Sequence, residues 1–150
     1  MDIRWECKRF DELTPTELYA LMQLRNEVFV VEQNCVFQDA DGKDKYGYHY
    51  LGWANEQLVA YTRLLPAGVS YEYASIGRVV TSIQVRSSGI GKILMKNSIA
   101  ELFQIWDKQA IKIGAQLYLK KFYESFGFRQ TSEVYMEDGI EHIEMVLPYI

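Results

Sequence analysis

Apolar positions along this chain follow two different periods, which divide it into predicted strands and helices. Alternating or β-branched runs predict strands at 3–7, 49–53, 58–64, 73–80, 109–115, 133–136 and 140–146. Apolar residues three and four positions apart predict helices at 14–32, 89–107 and 118–126. The order of these elements predicts one domain of the α/β class, with a mixed, mostly antiparallel sheet, one parallel crossover and flanking helices.

Local signals mark the ends of several predicted elements. Thr14 and Glu17 have the spacing of a capping box at the start of the first helix. Gly127 follows the third helix, where a glycine commonly ends a helix. Asp138-Gly139 predicts a tight hairpin turn between the last two strands, and Gly77 predicts a bulge in the fourth strand.

A polar turn with two glycines connects the fourth strand to the second helix. Its sequence, Arg86-Ser87-Ser88-Gly89-Ile90-Gly91, has the spacing Arg-x-x-Gly-x-Gly. Backbone N–H groups of such a turn, at a helix N-terminus, can bind phosphate. A Walker A motif is excluded because Lys92 is followed by Ile93, and a dinucleotide fingerprint is excluded because Leu94 replaces its third glycine. The turn is therefore either a site for another phosphate-bearing ligand or an ordinary connection.

Composition narrows the class of partner. The net charge of −4 and the pI of about 5.2 argue against nucleic-acid binding. No apolar run is long enough to span a membrane and the N-terminal sequence lacks the features of a signal peptide, so we expect a cytoplasmic protein without a membrane partner. Cys7 and Cys35 lack metal-ligand spacing, and the polar segment 38–45 lacks the acidic spacing of a calcium loop, so we expect no metal.

A second motif, Phe122-Tyr123-x-x-x-Gly127-Phe128, follows the fifth predicted strand. Together with Arg86-x-x-Gly89-x-Gly91 it resembles the two signatures of the GNAT N-acetyltransferases, in the same order and the same structural context. Segments 24–35, 41–44, 76–80, 114–116 and 137–143 also resemble the bacterial ElaA-like acetyltransferases. The resemblance covers nearly the whole chain, although Ile83, Ser87-Ser88 and Glu141 depart from the common pattern.

The resemblance implies the GNAT acyl-CoA N-acyltransferase fold and acetyl-CoA as co-substrate. It implies that the loop binds the pyrophosphate of coenzyme A and that the exposed backbone of Val79 to Thr81 binds the pantetheine arm. The implied cofactor-binding residues are Val79, Val80, Thr81, Arg86, Ser87, Ser88, Gly89, Ile90, Gly91 and Lys92. It also implies that Tyr123 protonates the departing thiolate, because the family has a tyrosine at this motif position beside the sulfur.

The residue that removes the proton of the attacking amine is left open by the sequence. His49, His142 and Glu32 are the candidates, since a histidine changes charge near neutral pH and a glutamate at a helix end acts directly or through water. A structural role within the fold is an equal alternative for each. Arg25 and Arg78 are expected either to contact an acidic substrate group or to pair with Glu32 and Asp41.

The function that follows from the resemblance is transfer of the acetyl group of acetyl-CoA to a primary amine of a small-molecule or peptide acceptor. One alternative is a non-catalytic acyl-CoA binding module on the same fold. Another is an acyltransferase with a different acyl carrier, because Leu24-Arg25-x-x-Val28-Phe29 is also similar to acyl-homoserine lactone synthases. The sequence identifies neither the acceptor nor the oligomeric state, and a homodimer is one possibility.

Overall fold

An eight-stranded sheet forms the centre of the fold. The structure, a computed structural model, describes residues 2–149. The strands are β1 Arg4–Arg9, β2 Tyr48–Ala54, β3 Gln57–Leu65, β4 Ala74–Thr81, β5 Ile111–Gln116, β6 Arg129–Gln130, β7 Tyr135–Glu137 and β8 Ile140–Leu147. The α-helices are α1 Pro15–Arg25, α2 Ile90–Trp106 and α3 Lys120–Glu124.

The strand order is β1-β2-β3-β4-β5-β8-β6, with β7 also paired to β8. Strands β4 and β5 are parallel, and the other strand pairs of the described sheet are antiparallel. This arrangement confirms the predicted mixed sheet with one parallel crossover, which runs through α2. The two-residue β6 was not predicted, because a strand this short has no measurable period.

The parallel pair separates soon after it begins. Strands β4 and β5 pair only at Ala74 with Ile111 and at Ser75 with Lys112. Beyond Ser75, the edge of β4 that faces β5 has no strand partner within residues 2–149. An irregular register between β3 and β4 lies beside Gly77, where Arg78 has a φ of +50°, which agrees with the predicted bulge. The sheet therefore opens between the C-terminal halves of its two central strands.

The first predicted helix is really two consecutive helical segments. Thr14 Oγ1 accepts a hydrogen bond from the Glu17 N–H at 3.1 Å, so the capping box forms as predicted. Helix α1 ends at Arg25, and the chain continues as a wider π-helical turn over Asn26–Glu32. The Gln33 N–H bonds the Val28 carbonyl at 3.1 Å, five residues back. The pattern alone did not reveal this change of pitch, because the apolar face continues through it.

The third helix is also shorter than predicted. Leu117–Leu119 forms a 3₁₀ turn, and α3 covers only Lys120–Glu124. Gly127, with a φ of +102°, ends the helical region as predicted, and its N–H bonds the Glu124 carbonyl at 2.9 Å. No helix between residues 2 and 149 has the length and apolar character needed to cross a membrane.

Helices pack on both faces of the sheet with apolar contacts, α1 against β2, β3 and β4 and α2 against the other face. On the α1 side, Leu21 and Leu24 pack with Leu51, Tyr61 and Val80 of the strands. On the α2 side, the buried cluster comprises Met95, Leu102, Ile111, Ile113, Ala115, Tyr123, Phe128, Ile143 and Met145, among others. These two layers pack against the strands that lead to the opening, so they position the loops at its mouth.

Candidate active site

The glycine loop at the mouth of the opening is shaped to receive a ligand. Gly89 is the N-cap of α2 with a φ of +83°, and no atom lies within 4 Å of the position that a Cβ would take. The N–H groups of Ile90, Gly91 and Lys92 fall in the first turn of α2, where helix geometry provides no partner. The first turn of α2 carries no acidic side chain. The loop therefore offers an open, electropositive cradle of backbone donors for an anion.

Arg86 fixes the base of this loop. Its Nε and one terminal nitrogen donate to the Thr81 carbonyl at 3.3 and 3.0 Å. The guanidinium also donates to both oxygens of Glu32, at 2.5 and 3.0 Å. Arg86 thus ties the end of β4 to the end of the π-helical turn, and Glu32 does not have a free carboxylate.

The end of β4 forms one wall of the opening. Val80 is 3 % exposed and packs on the α1 side, whereas Val79 packs partly on the α2 side. The side chains of Val79 and Val80 are therefore committed to packing. The backbone edge of Val79 to Thr81 that faces β5 is the part left for a ligand, as an added strand would use it.

Tyr123 packs in the apolar core on the α2 side of the sheet. Its ring is 5 % exposed and lies 5.2 Å from the Phe122 ring and 6.0 Å from the Phe128 ring, in edge-on contacts. Burial raises the pKa of the Tyr123 hydroxyl, and no described residue accepts a hydrogen bond from it. Phe122 lies 3.9 Å from the position of a Cβ on Gly91, so the two sequence motifs meet in space. Tyr123 is therefore a neutral hydroxyl in the core, and its neighbour Phe122 contacts the loop.

His49 is occupied within the fold. The side chain is fully buried, with Nδ1 at 2.6 Å from Tyr61 Oη and Nε2 at 2.9 Å from the Asp44 carbonyl oxygen. A carbonyl only accepts, so Nε2 carries the proton and Nδ1 accepts from the tyrosine. Burial lowers the pKa of His49 and favours the neutral ring. Neither nitrogen is free to take a proton from a substrate amine.

His142 has the free nitrogen that His49 lacks. Its Nδ1 donates to the Ile140 carbonyl at 2.8 Å, which fixes the proton on that nitrogen. Nε2 lies 3.5 Å from Glu137 Oε2 and has no hydrogen bond from the described residues. His142 pairs in register with Gln116, at the C-terminal end of β5. The structure thus leaves one basic ring nitrogen without a hydrogen bond from the described residues, on a histidine that is 7 % exposed at the end of β5 and β8.

A network of charged groups joins the end of α1 and strands β3 and β4 to the segment that precedes β2. The network consists of Arg25, Arg63, Arg78, Asp39, Asp41 and Asp44, joined by contacts of 2.7 to 3.3 Å. Arg25 is fully buried between Asp39 and Asp44, at 2.7 and 2.8 Å. Burial raises the pKa of the Asp41 carboxyl, but hydrogen bonds from Arg63 outweigh it and hold that pKa well below its usual range. The expected pairing of Arg78 with Asp41 is confirmed, whereas Arg25 pairs with aspartates and not with Glu32.

The chain after the π-helical turn crosses the opening. The amides of Gln33 and Gln116 exchange hydrogen bonds of 3.4 and 3.2 Å, which joins this segment to the end of β5. Cys35 Sγ donates to the Asp138 carbonyl at 3.0 Å, in the turn between β7 and β8. Because Glu32 holds the β4 side through Arg86, residues 32–35 form a strap across the mouth. Sequence reasoning missed Gln33 and Gln116, which carry no motif of their own.

A family model described as the acetyltransferase (GNAT) domain matches residues 17–148. The chain belongs to the GNAT acetyltransferase family. Protein ElaA of Escherichia coli K12 is 46 % identical to this GNAT chain over 145 residues, 95 % of each protein. The crystal structure of E. coli ElaA superposes with a TM-score of 0.91 at 44 % identity, and covers 97 % of this chain and 99 % of that one.

Two further solved structures share this GNAT fold. An acyl-CoA N-acyltransferase from Pseudomonas aeruginosa has a TM-score of 0.93 at 41 % identity, with 97 % and 99 % of the two chains covered. A GNAT acetyltransferase from Elizabethkingia anophelis, solved with acetyl-CoA bound, has a TM-score of 0.65 at 19 % identity, with 97 % of both chains covered. The last likeness shows the fold alone. The predicted fold and family are both confirmed.

Proposed function

We propose that this protein is an N-acetyltransferase that moves the acetyl group of acetyl-CoA to a primary amine. The observation that carries the proposal is the separation of β4 from β5 after Ser75 and Lys112, with the open glycine loop at the same end of the sheet. A long, flexible thioester with a diphosphate group fits such a gap. Family membership supports acyl-CoA chemistry, and the E. anophelis protein of the same fold binds acetyl-CoA.

The loop and the edge of β4 are the parts that fit coenzyme A. Backbone N–H groups from Arg86 to Lys92 would hold the diphosphate, because a Cβ and its substituents are absent at Gly89. The free backbone edge of Val79 to Thr81 would bond the amides of the pantetheine arm. A strand N–H there would also stabilise the negative charge that develops on the thioester oxygen.

His142 is the best candidate for the base. A primary amine is mostly protonated near neutral pH and must lose a proton before it attacks the thioester. Nε2 of His142 would take that proton, while the Nδ1–H bond to Ile140 keeps the ring in the required tautomer. The carboxylate of Glu137, 3.5 Å away, would stabilise the resulting imidazolium. Glu32 is less suited, because Arg86 occupies both of its oxygens.

Tyr123 is the candidate acid. Its buried ring holds the hydroxyl in a fixed position, and burial keeps it protonated. When the tetrahedral intermediate collapses, the C–S bond breaks and the phenol O–H would protonate the coenzyme A thiolate. A thiol is a fair leaving group, so this assistance is expected to be modest.

The test is release of free thiol from acetyl-CoA in the presence of a panel of small-molecule and peptide amines, with the acetylated product identified by mass. Amine-dependent thiol release with a matching product supports the proposal. Slow thioester hydrolysis without an acetylated amine would favour an acyl-CoA binding module instead. Faster transfer from an acylated carrier protein than from acetyl-CoA would favour a different acyl donor.

A further inference from the structure

The α1-side face of β5 and β8 forms an accessible surface beside the opening. Along β5, Ile113 and Ala115 point into the α2-side core, so Lys112, Gly114 and Gln116 face the other way. Their register partners on β8 are Val146, Glu144 and His142, in the same order. The free ring nitrogen of His142 therefore lies at one end of this face, and the Lys112 and Glu144 side chains lie further along it.

Two tyrosines, Tyr71 from the loop between β3 and β4 and Tyr135 from β7, converge on this face. Tyr71 Oη and Tyr135 Oη lie 2.9 and 3.2 Å from the position of a Cβ on Gly114. Gly114 is nevertheless exposed to solvent, so the hydroxyls border an open floor of strand backbone. The Tyr135 ring stacks on His142, with centroids 5.9 Å apart and planes at 29°. Any side chain at position 114 would fill the space between the two hydroxyls.

The ammonium group of Lys112 already contacts an aromatic ring and a carboxylate of this surface. Lys112 Nζ lies 5.1 Å from the centroid of the Tyr71 ring and 3.1 Å from Glu144 Oε1. The Glu144 side chain keeps 32 % of its surface exposed, and that of Glu137 keeps 59 %. Burial, followed by the nearby Tyr135 and Glu144 charges, raises the pKa of Tyr71 to about 12. Aromatic rings and carboxylates together are a surface that attracts cations.

We propose that this surface, which we call the tyrosine floor (Tyr71, Gly114, Tyr135 and Glu144), binds the second ammonium group of a diamine acceptor. The inference rests on the proposed function, with the reacting amine at His142. His142 and Glu144 are two residues apart on one strand face, or about 7 Å. An unbranched chain of four or five methylene groups separates two amines by a similar distance.

The charges on the floor also determine which acceptors are disfavoured. A carboxylate on the same aliphatic chain would be repelled by Glu137 and Glu144, whose combined charge exceeds that of Lys112. An uncharged end in place of the second ammonium would gain no attraction from Glu144 or from the Tyr71 ring. The preferred acceptor is therefore an aliphatic diamine rather than an amino acid or a monoamine.

Three acceptors built on a five-carbon amine chain test the proposal: cadaverine, pentylamine and lysine, which is cadaverine with an added carboxylate. We expect kcat/KM for cadaverine to exceed that for pentylamine by about five- to tenfold, and lysine to be the poorest of the three. Glu144→Gln should reduce the preference for cadaverine over pentylamine to less than about twofold. Glu141→Gln is the matched control, because Glu141 lies on the same strand, is exposed and points to the opposite face.

The outcomes separate this inference from the proposed function. Equal use of cadaverine and pentylamine, or equal effects of Glu144→Gln and Glu141→Gln, overturns the diamine site while the acetyltransferase stands. If no amine is acetylated, the diamine site is tested directly by calorimetry of cadaverine binding to the complex of the protein with coenzyme A. Binding that Glu144→Gln weakens and Glu141→Gln does not would still support the site, and absence of binding would overturn it.

Discussion

Glu32 and Arg86, 54 residues apart in the chain, are joined by two hydrogen bonds of 2.5 and 3.0 Å at the mouth of the opening in the sheet. The pair connects the end of the π-helical turn to the loop proposed to bind the diphosphate of coenzyme A. Arg86 also bonds the end of β4, so its side chain serves two elements while that of Glu32 serves one. The two residues are therefore not equivalent, although they form one ion pair.

We expect Arg86→Ala to weaken acetyl-CoA binding by about tenfold, and Glu32→Gln by less than about threefold. The arginine holds the loop against the Thr81 carbonyl even without Glu32, whereas an ion pair this exposed contributes little by itself. Titration calorimetry with acetyl-CoA measures both dissociation constants. Equal losses for the two variants would contradict this division of roles.

Gly89→Asp should weaken acetyl-CoA binding by at least tenfold, or roughly 1.4 kcal/mol. The substitution adds a negative side chain in the open space over the proposed diphosphate cradle. Gly139→Asp is the matched control, since Gly139 also has a positive φ, of +78°, with no atom near its Cβ position. An unchanged dissociation constant in folded Gly89→Asp would show that acetyl-CoA does not bind at this loop.

Tyr123→Phe should lower kcat by roughly ten- to a few hundredfold and leave the dissociation constant of acetyl-CoA nearly unchanged. The substitution keeps the ring contacts with Phe122 and Phe128 and removes only the hydroxyl. Steady-state kinetics and calorimetry together measure this split. Tyr118→Phe, at an exposed tyrosine nearby, should have no effect. Full activity of Tyr123→Phe would leave water as the acid.

The rate should depend on pH through one of the two histidines of the chain. The logarithm of kcat/KM should rise with pH, because His142 can accept the amine proton only as the neutral ring. His142→Gln should lose this rise of kcat/KM with pH. His49→Gln should keep it, since both nitrogens of His49 are bonded inside the fold. If only His49→Gln lost the rise with pH, His49 and not His142 would be the base.

Stability should fall on acidification in two stages. Burial lowers the pKa of His49 in the folded state, so the unfolded chain binds more protons and stability is lost as the pH falls below about 6.5. The depressed pKa of Asp41 acts in the same direction, and its contribution is lost below about pH 4. Urea unfolding between pH 7 and 3 measures both stages. His49→Gln should flatten the first stage only, and an unchanged slope there would contradict this origin.

Local spacing determined much of this protein from the sequence alone. The capping box at Thr14, the turn at Asp138-Gly139 and the open loop at Gly89 each form where the sequence predicts them. Each depends on residues within a few positions of one another, whose backbone preferences act wherever the rest of the chain lies. The order of the strands and helices then restricts the sheet to few topologies, and the family follows from motifs of the same local kind.

Only the tertiary structure decided which side chains are free to act. His49 and His142 look alike in the sequence and are both buried, yet both nitrogens of His49 are bonded, whereas Nε2 of His142 has no hydrogen bond from the described residues. The wider pitch after Arg25 brings Gln33 to Gln116, across 83 residues, and no local pattern encodes that contact. Availability of a group depends on burial and on hydrogen-bond partners, which are set by packing between distant segments. Backbone conformation is largely a local property, whereas the chemistry of a side chain is determined by its neighbours in space.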